Sequence, residues 1–225
     1  NWLWGLRHIS RIIRNRTYSK RRSLILKIIK ASEFGNDTNI KISKIFVDGF
    51  FQWLNFFSKD KEKLTKAFSH MFNLEVFYIA IIDGEIAGIA ACTDGKVSSV
   101  HLKSKELKKH LGFIMGTITY FILKREFEQK LYPFEITKGM GMVEFVATST
   151  KCRGQGVASA IMKHIFDYTP YDIYTLEVAD TNTKAVKLYE KLEYSEFLRI
   201  KQKHSKQSGV DNLVYMRCLK TTTNS

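Results

Sequence analysis

The run M-V-E-F-V-A-T-S-T-K-C-R-G-Q-G-V-A, from Met142 to Ala158, passes from an apolar segment through a basic, glycine-bearing turn into a helix. Val143, Phe145 and Val146 favour a strand, and Gly154 and Gly156 lack the Cβ that would keep a backbone from turning sharply or meeting a ligand closely. From Val157 the period becomes helical, with Val157, Ile161 and Ile165 four apart on one face. A helix that starts at such a turn offers unpaired N–H groups and the positive end of its dipole, and Arg153 adds a full charge. This arrangement suits an anion, and phosphate is the natural guest.

Two other phosphate-binding patterns compete. A P-loop requires Lys and then Ser or Thr after its last glycine, where this chain has Val157 and Ala158. A dinucleotide turn is nearly spelled by Gly154, Gly156 and Ser159, with Glu177 about 20 residues on. That turn puts its first glycine at the strand end, whereas six residues, Thr148 to Arg153, intervene here.

The downstream residues discriminate further. Ile173 to Val178 reads I-Y-T-L-E-V, then comes A-D-T-N, then T-K-A-V-K-L-Y-E-K-L-E-Y. Arg153-x-x-Gly156-x-Ala158, followed by L-E-V, Asn182, Ala185 and Leu188-Tyr189, resembles the GNAT superfamily of acetyl-CoA-dependent N-acetyltransferases. The specific motifs lie between Glu144 and Tyr194, and the resemblance extends over roughly Ile40 to Leu219. The spacing of Glu177 and Tyr189 is most similar to the ribosomal-protein N-terminal acetyltransferase branch. Where that family has Leu-Gly-Phe, this chain has Leu192-Glu193-Tyr194, so Glu193 must make the left-handed turn or the turn must be rearranged. The resemblance implies an α/β (α+β) fold with a central mixed, mostly antiparallel sheet flanked by helices. It also implies acetyl-CoA as cofactor and acetyl transfer to a primary amine of a protein, peptide or small molecule.

That chemistry needs a base, a site for the oxyanion and a proton for the departing thiolate. An α-amino group, with reference pKa about 8, and a lysine, about 10.4, are largely protonated at neutral pH, so a carboxylate must accept a proton. Glu177 and Glu144 are the candidates, with an exposed strand acid as the alternative for each. Tyr189 is the candidate acid, its reference pKa of about 10 lying near a thiol's 8.5; the alternative is a tyrosine packing on the sheet. The family's pattern assigns the thioester carbonyl to backbone N–H groups at Val146, Ala147 and Thr148. It assigns the pyrophosphate to Arg153, Gly154, Gln155, Gly156, Val157 and Ala158, the pantetheine arm to Asn182, and counts Tyr189 among the cofactor-binding residues as well. No metal-ligand cluster is evident. A protein that binds acyl-CoA, RNA or a membrane surface on the same scaffold without turnover is the competing reading.

The remaining residues frame this centre. With 225 residues, 44% of them hydrophobic, the chain can bury one core and carry an appendage. Three cysteines, Cys92, Cys152 and Cys218, form no C-x-x-C pair, which fits a reducing cytoplasm. Residues 1–30 hold nine Lys or Arg and no acid, so +9 of the net +14 lies there. Trp2, Leu6, Ile9 and Ile13 recur at helical spacing among these arginines, as in elements that lie on RNA or on a membrane, or that simply pack on their own domain. The polar stretch Ala31 to Asn39 marks a boundary between an arm, 1–38, and a domain, 39–220, followed by a fraying tail, 221–225. Helices are expected from about Ile42 to Phe57 and Asp60 to Met71, then a hairpin over Val76–Cys92. Residues 94–141 read as a helical insertion before the cofactor strand, with one long helix from Lys105 to Lys130. Burial as an extra core helix is the plainest role for it, and lining the acceptor site or forming a homodimer contact are the alternatives.

Overall fold

Phe77–Ile82 (β2) and Glu85–Thr93 (β3) are apolar runs on either side of Asp83-Gly84, and both turn residues take positive φ, 50° and 79°. That is the geometry a two-residue hairpin demands. The computed structural model describes residues 26–202 and 209–220, and within them the hairpin belongs to a seven-stranded sheet in the order β1-β2-β3-β4-β5-β7-β6. The other strands are β1 (Lys27–Lys30), β4 (Met140–Thr148), β5 (Ile173–Ala179), β6 (Ser195–Lys201) and β7 (Asn212–Leu219). Only the β4–β5 pair among them is parallel.

Side chains alternate across this sheet and make two cores. Phe77, Ile79, Ile89 and Ala91 face α1 (Thr38–Leu54) and α2 (Lys61–Phe68), whose Ile42, Phe46 and Leu64 are fully buried. Tyr78, Ala80, Ala90 and Cys92 point the other way, towards Val157, Ile161 and Ile165 on a later helix. The two-residue period is what lets one hairpin serve both cores.

Lys27–Lys30, read above as part of the arm, is the edge strand of the sheet. It pairs antiparallel with β2 from Lys27↔Ile81 to Lys30↔Tyr78, and Ala31 beyond it is fully buried. The apolar Ile28 and Ile29 outweigh their charged neighbours because the edge of β2 offers them a ladder. Lys27–Lys30 and Ala31 therefore belong with the sheet, and the reading of residues 1–25 as a basic amphipathic element lies outside the described residues.

The insertion also departs from expectation. Instead of one helix from Lys105 to Lys130 there are two, α3 (Ser104–Leu111) and α4 (Phe113–Leu123). They are divided by Gly112 at φ 83° and ψ 165°, a conformation that no helix continues through. Leu107, Leu111 and Leu123 are buried, but Phe113, Ile114 and Phe121 of α4 are 75%, 75% and 67% exposed. An eleven-residue helix that is apolar all round cannot hide every face against one neighbour. A π-helical turn, Lys124–Glu128, follows, closed by Gln129 N–H donating to Lys124 O at 2.8 Å. Beyond β4 come α5 (Val157–Tyr168) and α6 (Thr183–Lys191) on the second face, then the β6–β7 hairpin. No helix among the described residues is long and apolar enough to cross a membrane.

Candidate active site

Strands β4 and β5 pair only from Met140↔Ile173 to Val143↔Leu176. Past that point β4 stays with β3 and β5 with β7, so the two strands part at Glu144 and Glu177. Backbone groups along the parted edges face a gap instead of a ladder partner, and such groups accept a strand-like guest. Val146, Ala147 and Thr148 lie on the β4 side of this gap, with Ala147 and Thr148 paired to Ile89 and Gly88 on the other edge.

A bulge shapes the same spot. The β3–β4 register slips between Ile89 and Ala91, and Phe145 opposite takes φ 54°. Left-handed backbone at a bulky residue costs about 1–3 kcal/mol and persists where its surroundings compel it. Here four rings do so: Phe145 lies 5.6 Å from Phe46, 6.1 Å from Phe50, 6.2 Å from Phe77 and 5.1 Å from Phe127 between centroids. With the extra residue, Glu144 and Phe145 both face the α1 side, whereas strict alternation would have opposed them.

Both carboxylates are engaged by neighbours on that face. Glu144 accepts hydrogen bonds from Ser99 Oγ and Tyr132 OH, each at 2.5 Å. Glu177 Oε2 lies 3.1 Å from Lys130 Nζ, and that ammonium also sits 5.1 Å from the Tyr132 ring centroid. Burial, and then the Glu144 charge, push the Tyr132 phenol well above its usual range; burial and Glu177 do the same for Tyr215. Both phenols therefore stay protonated beside the acids. Ser99, Lys130 and Tyr132 all belong to the 94–141 insertion, so it reaches the parted strands directly. No motif marks these three residues in the sequence; the only cue was the insertion's place before β4.

Tyr189 comes from the opposite face. It is 6% exposed and packs among Val143, Leu176 and Val178, with the Tyr194 ring 6.1 Å away. Burial pushes its hydroxyl above that of an ordinary phenol, which widens the gap to a thiol. Asn182 is exposed and caps α6, its Oδ1 accepting from Ala185 N–H at 3.3 Å, so its amide NH₂ is the part free to meet a ligand. Glu193 takes φ 65° and makes the left-handed turn itself, with Tyr194 N–H donating to Tyr189 O at 3.0 Å.

The basic turn has the features of an anion cradle. Arg153, Gly154, Gln155 and Gly156 are exposed, and Gly156 caps α5 at φ 79°, ψ 5°. Space around Gly154 and Gly156 is open to 4 Å where a Cβ would stand, so a ligand can touch the backbone there. The first N–H of α5 with a backbone partner is that of Ala160, to Gly156 O at 2.9 Å. The first-turn N–H groups of Val157, Ala158 and Ser159 are thus the available donors. Cys152 nearby is half-buried; burial pushes the Cys92 thiol up to about 12 and leaves it inert. His164 of α5 stacks on Tyr168 at 4.5 Å, and burial lowers its pKa. Among the described residues no group of three His, Cys, Asp or Glu side chains could hold a metal ion.

Residues 42–194 match the model of the Acetyltransferase (GNAT) family. No curated protein sequence matches the chain. Among solved structures, the N-acetyltransferase from Staphylococcus aureus Mu50 is similar over 85% of this chain and all of its own, with TM-score 0.56 and 16% identity. The yncA structure from Salmonella typhimurium, solved with its cofactor acetyl-CoA, covers 89% of this chain and 96% of its own, with TM-score 0.52 and 10% identity. The ribosomal-protein-S18-alanine N-acetyltransferase from Escherichia coli covers 89% and 99%, with TM-score 0.50 and 12% identity. At such identities the likeness is one of fold.

Proposed function

The chain belongs to the acetyltransferase (GNAT) family, and from that premise we propose that it moves the acetyl group of acetyl-CoA to a primary amine of a peptide, protein or small molecule. The observation that carries this reading is the parting of β4 and β5 after Val143↔Leu176, which leaves Glu144 and Glu177 on one face and Tyr189 on the other. A carboxylate is thereby available to the incoming amine and a hydroxyl to the departing sulfur, across one gap.

The residues divide the work as follows. Gly154, Gly156 and the first turn of α5 offer N–H donors to the pyrophosphate, and Arg153 adds charge. The amide of Asn182 faces the pantetheine arm. The parted edge of β4 at Val146–Thr148 presents N–H groups where negative charge develops on the thioester oxygen. Of the two acids the amine's proton is assigned to Glu177, because both oxygens of Glu144 already accept hydroxyls from the protein; Glu177 is itself held by the Lys130 ammonium and the Tyr215 hydroxyl. Glu144 positions Tyr132. Tyr189 is the hydroxyl assigned to protonate the thiolate, and burial, by raising its pKa, makes it a weaker acid than a free phenol. Among amines, an α-amino group is favoured, because at reference pKa about 8 more of it is neutral than of lysine at about 10.4.

The test is to incubate the protein with acetyl-CoA and a panel of peptides, polyamines and aminoglycosides while following thiol release. Release that depends on one class of amine supports transfer. Saturable acetyl-CoA binding with no release for any amine supports the binding-only alternative.

A further inference from the structure

The amine nearest the base belongs to the protein itself. Lys130 Nζ sits 3.1 Å from Glu177 Oε2, against the Tyr132 ring, and both side chains of the ion pair keep 23% exposure. It reaches this place from the irregular segment after the π-helical turn, on the same face as Glu144, where β4 and β5 have just parted. In a half-buried ion pair of this kind the cost of desolvating the charges offsets most of their attraction, so folding alone does not call for a lysine at this position. What it does is hold a primary amine against the carboxylate assigned to deprotonate one.

We propose that Lys130 is an intramolecular acetyl acceptor and that its acetylation releases Glu177 for external amines. This rests on the transferase reading above. Lys130 gives one proton to Glu177, and its nitrogen forms a bond to the thioester carbonyl carbon as the carbon–sulfur bond breaks. The thiolate takes a proton from Tyr189, which recovers one from the nitrogen through solvent. The net change converts the Lys130 ammonium and acetyl-CoA into Nε-acetyl-Lys130, coenzyme A thiol and one proton. Acetylation removes the charge that binds Lys130 to Glu177, so the ion pair is lost and the carboxylate is freed.

The experiment uses the full chain, isotope-labelled acetyl-CoA and no added amine, with thiol release and peptide mass spectrometry as readouts. The expected result is a burst of one thiol equivalent per chain with label on Lys130. Its rate constant is unchanged by dilution and falls about 100-fold in Glu177→Gln, while acetyl-CoA binding is retained. Lys130→Arg, which keeps the positive charge, abolishes the burst. The proposal is overturned if Lys130 stays unlabelled while an added amine is acetylated, if its labelling slows on dilution or ignores Glu177→Gln, or if it is labelled no faster than exposed Lys63. Absence of label, together with absence of thiol release for every amine, overturns the transferase reading itself.

Discussion

The rings of Phe127 and Phe145 meet edge to face, 5.1 Å between centroids and 85° between planes, and this contact joins the insertion to the bulge of β4. Phe145 holds a left-handed backbone that its ring packing maintains. Phe127→Ala is expected to lower stability by about 2 kcal/mol, below the range for a fully buried Phe because the ring is only half-buried. It should also reduce turnover more than acetyl-CoA affinity, since it loosens the carbonyl-facing edge and leaves the phosphate turn alone. Urea unfolding and steady-state kinetics measure both, and a variant that loses stability but keeps full turnover would uncouple the bulge from catalysis.

Glu193 carries the left-handed turn at the end of α6, where a side chain costs about 1 kcal/mol that glycine avoids. Glu193→Gly should therefore stabilise the protein by up to about 1 kcal/mol, read as a higher urea midpoint with an unchanged slope. A lower midpoint would mean that the Glu193 side chain makes a contact that outweighs the strain.

Gly156 combines a left-handed conformation with open space above it. Gly156→Val both strains that turn and fills the space, and acetyl-CoA affinity should fall at least about tenfold, roughly 1.4 kcal/mol. Calorimetry on a variant shown to be folded checks this, and unchanged affinity would place the pyrophosphate elsewhere.

The nine basic residues of 1–30 divide at β1, because Lys27 and Lys30 belong to the sheet edge. Removing 1–25 should leave turnover of a small amine nearly intact and weaken any salt-sensitive binding to anionic lipid or RNA. A cut after residue 30 would instead strip β1 from β2 and should destabilise the domain. Loss of turnover on the shorter cut would bring the arm into the active site.

The parts legible in the sequence are those encoded locally. Met142–Ala158 announces strand, turn and helix through its own periodicity and glycines, Asp83-Gly84 announces the hairpin, and Glu193 stands at the family's glycine position. The insertion was legible only as apolar and helical. Gly112 divides it, and a single glycine in an apolar run does not say whether a helix bends or stops. Ser99 meets Glu144 across 45 residues of chain, and Lys130 meets Glu177 across the sheet, contacts that no local pattern contains. The strand β1 was hidden for a related reason: four residues, two of them lysines, become a strand because the edge of β2 receives them.

The central claim is that acetyl transfer runs through the gap between β4 and β5, with the base on one face and Tyr189 on the other. Tyr189→Phe keeps the ring and its packing and removes only the hydroxyl. Thiol release from acetyl-CoA in the presence of an accepted amine should fall by roughly 10² to 10⁴, with acetyl-CoA affinity unchanged, across about pH 6 to 9. A Phe variant that turns over at the wild-type rate throughout that range would contradict the account, leaving water to protonate the thiolate and Tyr189 to pack the sheet.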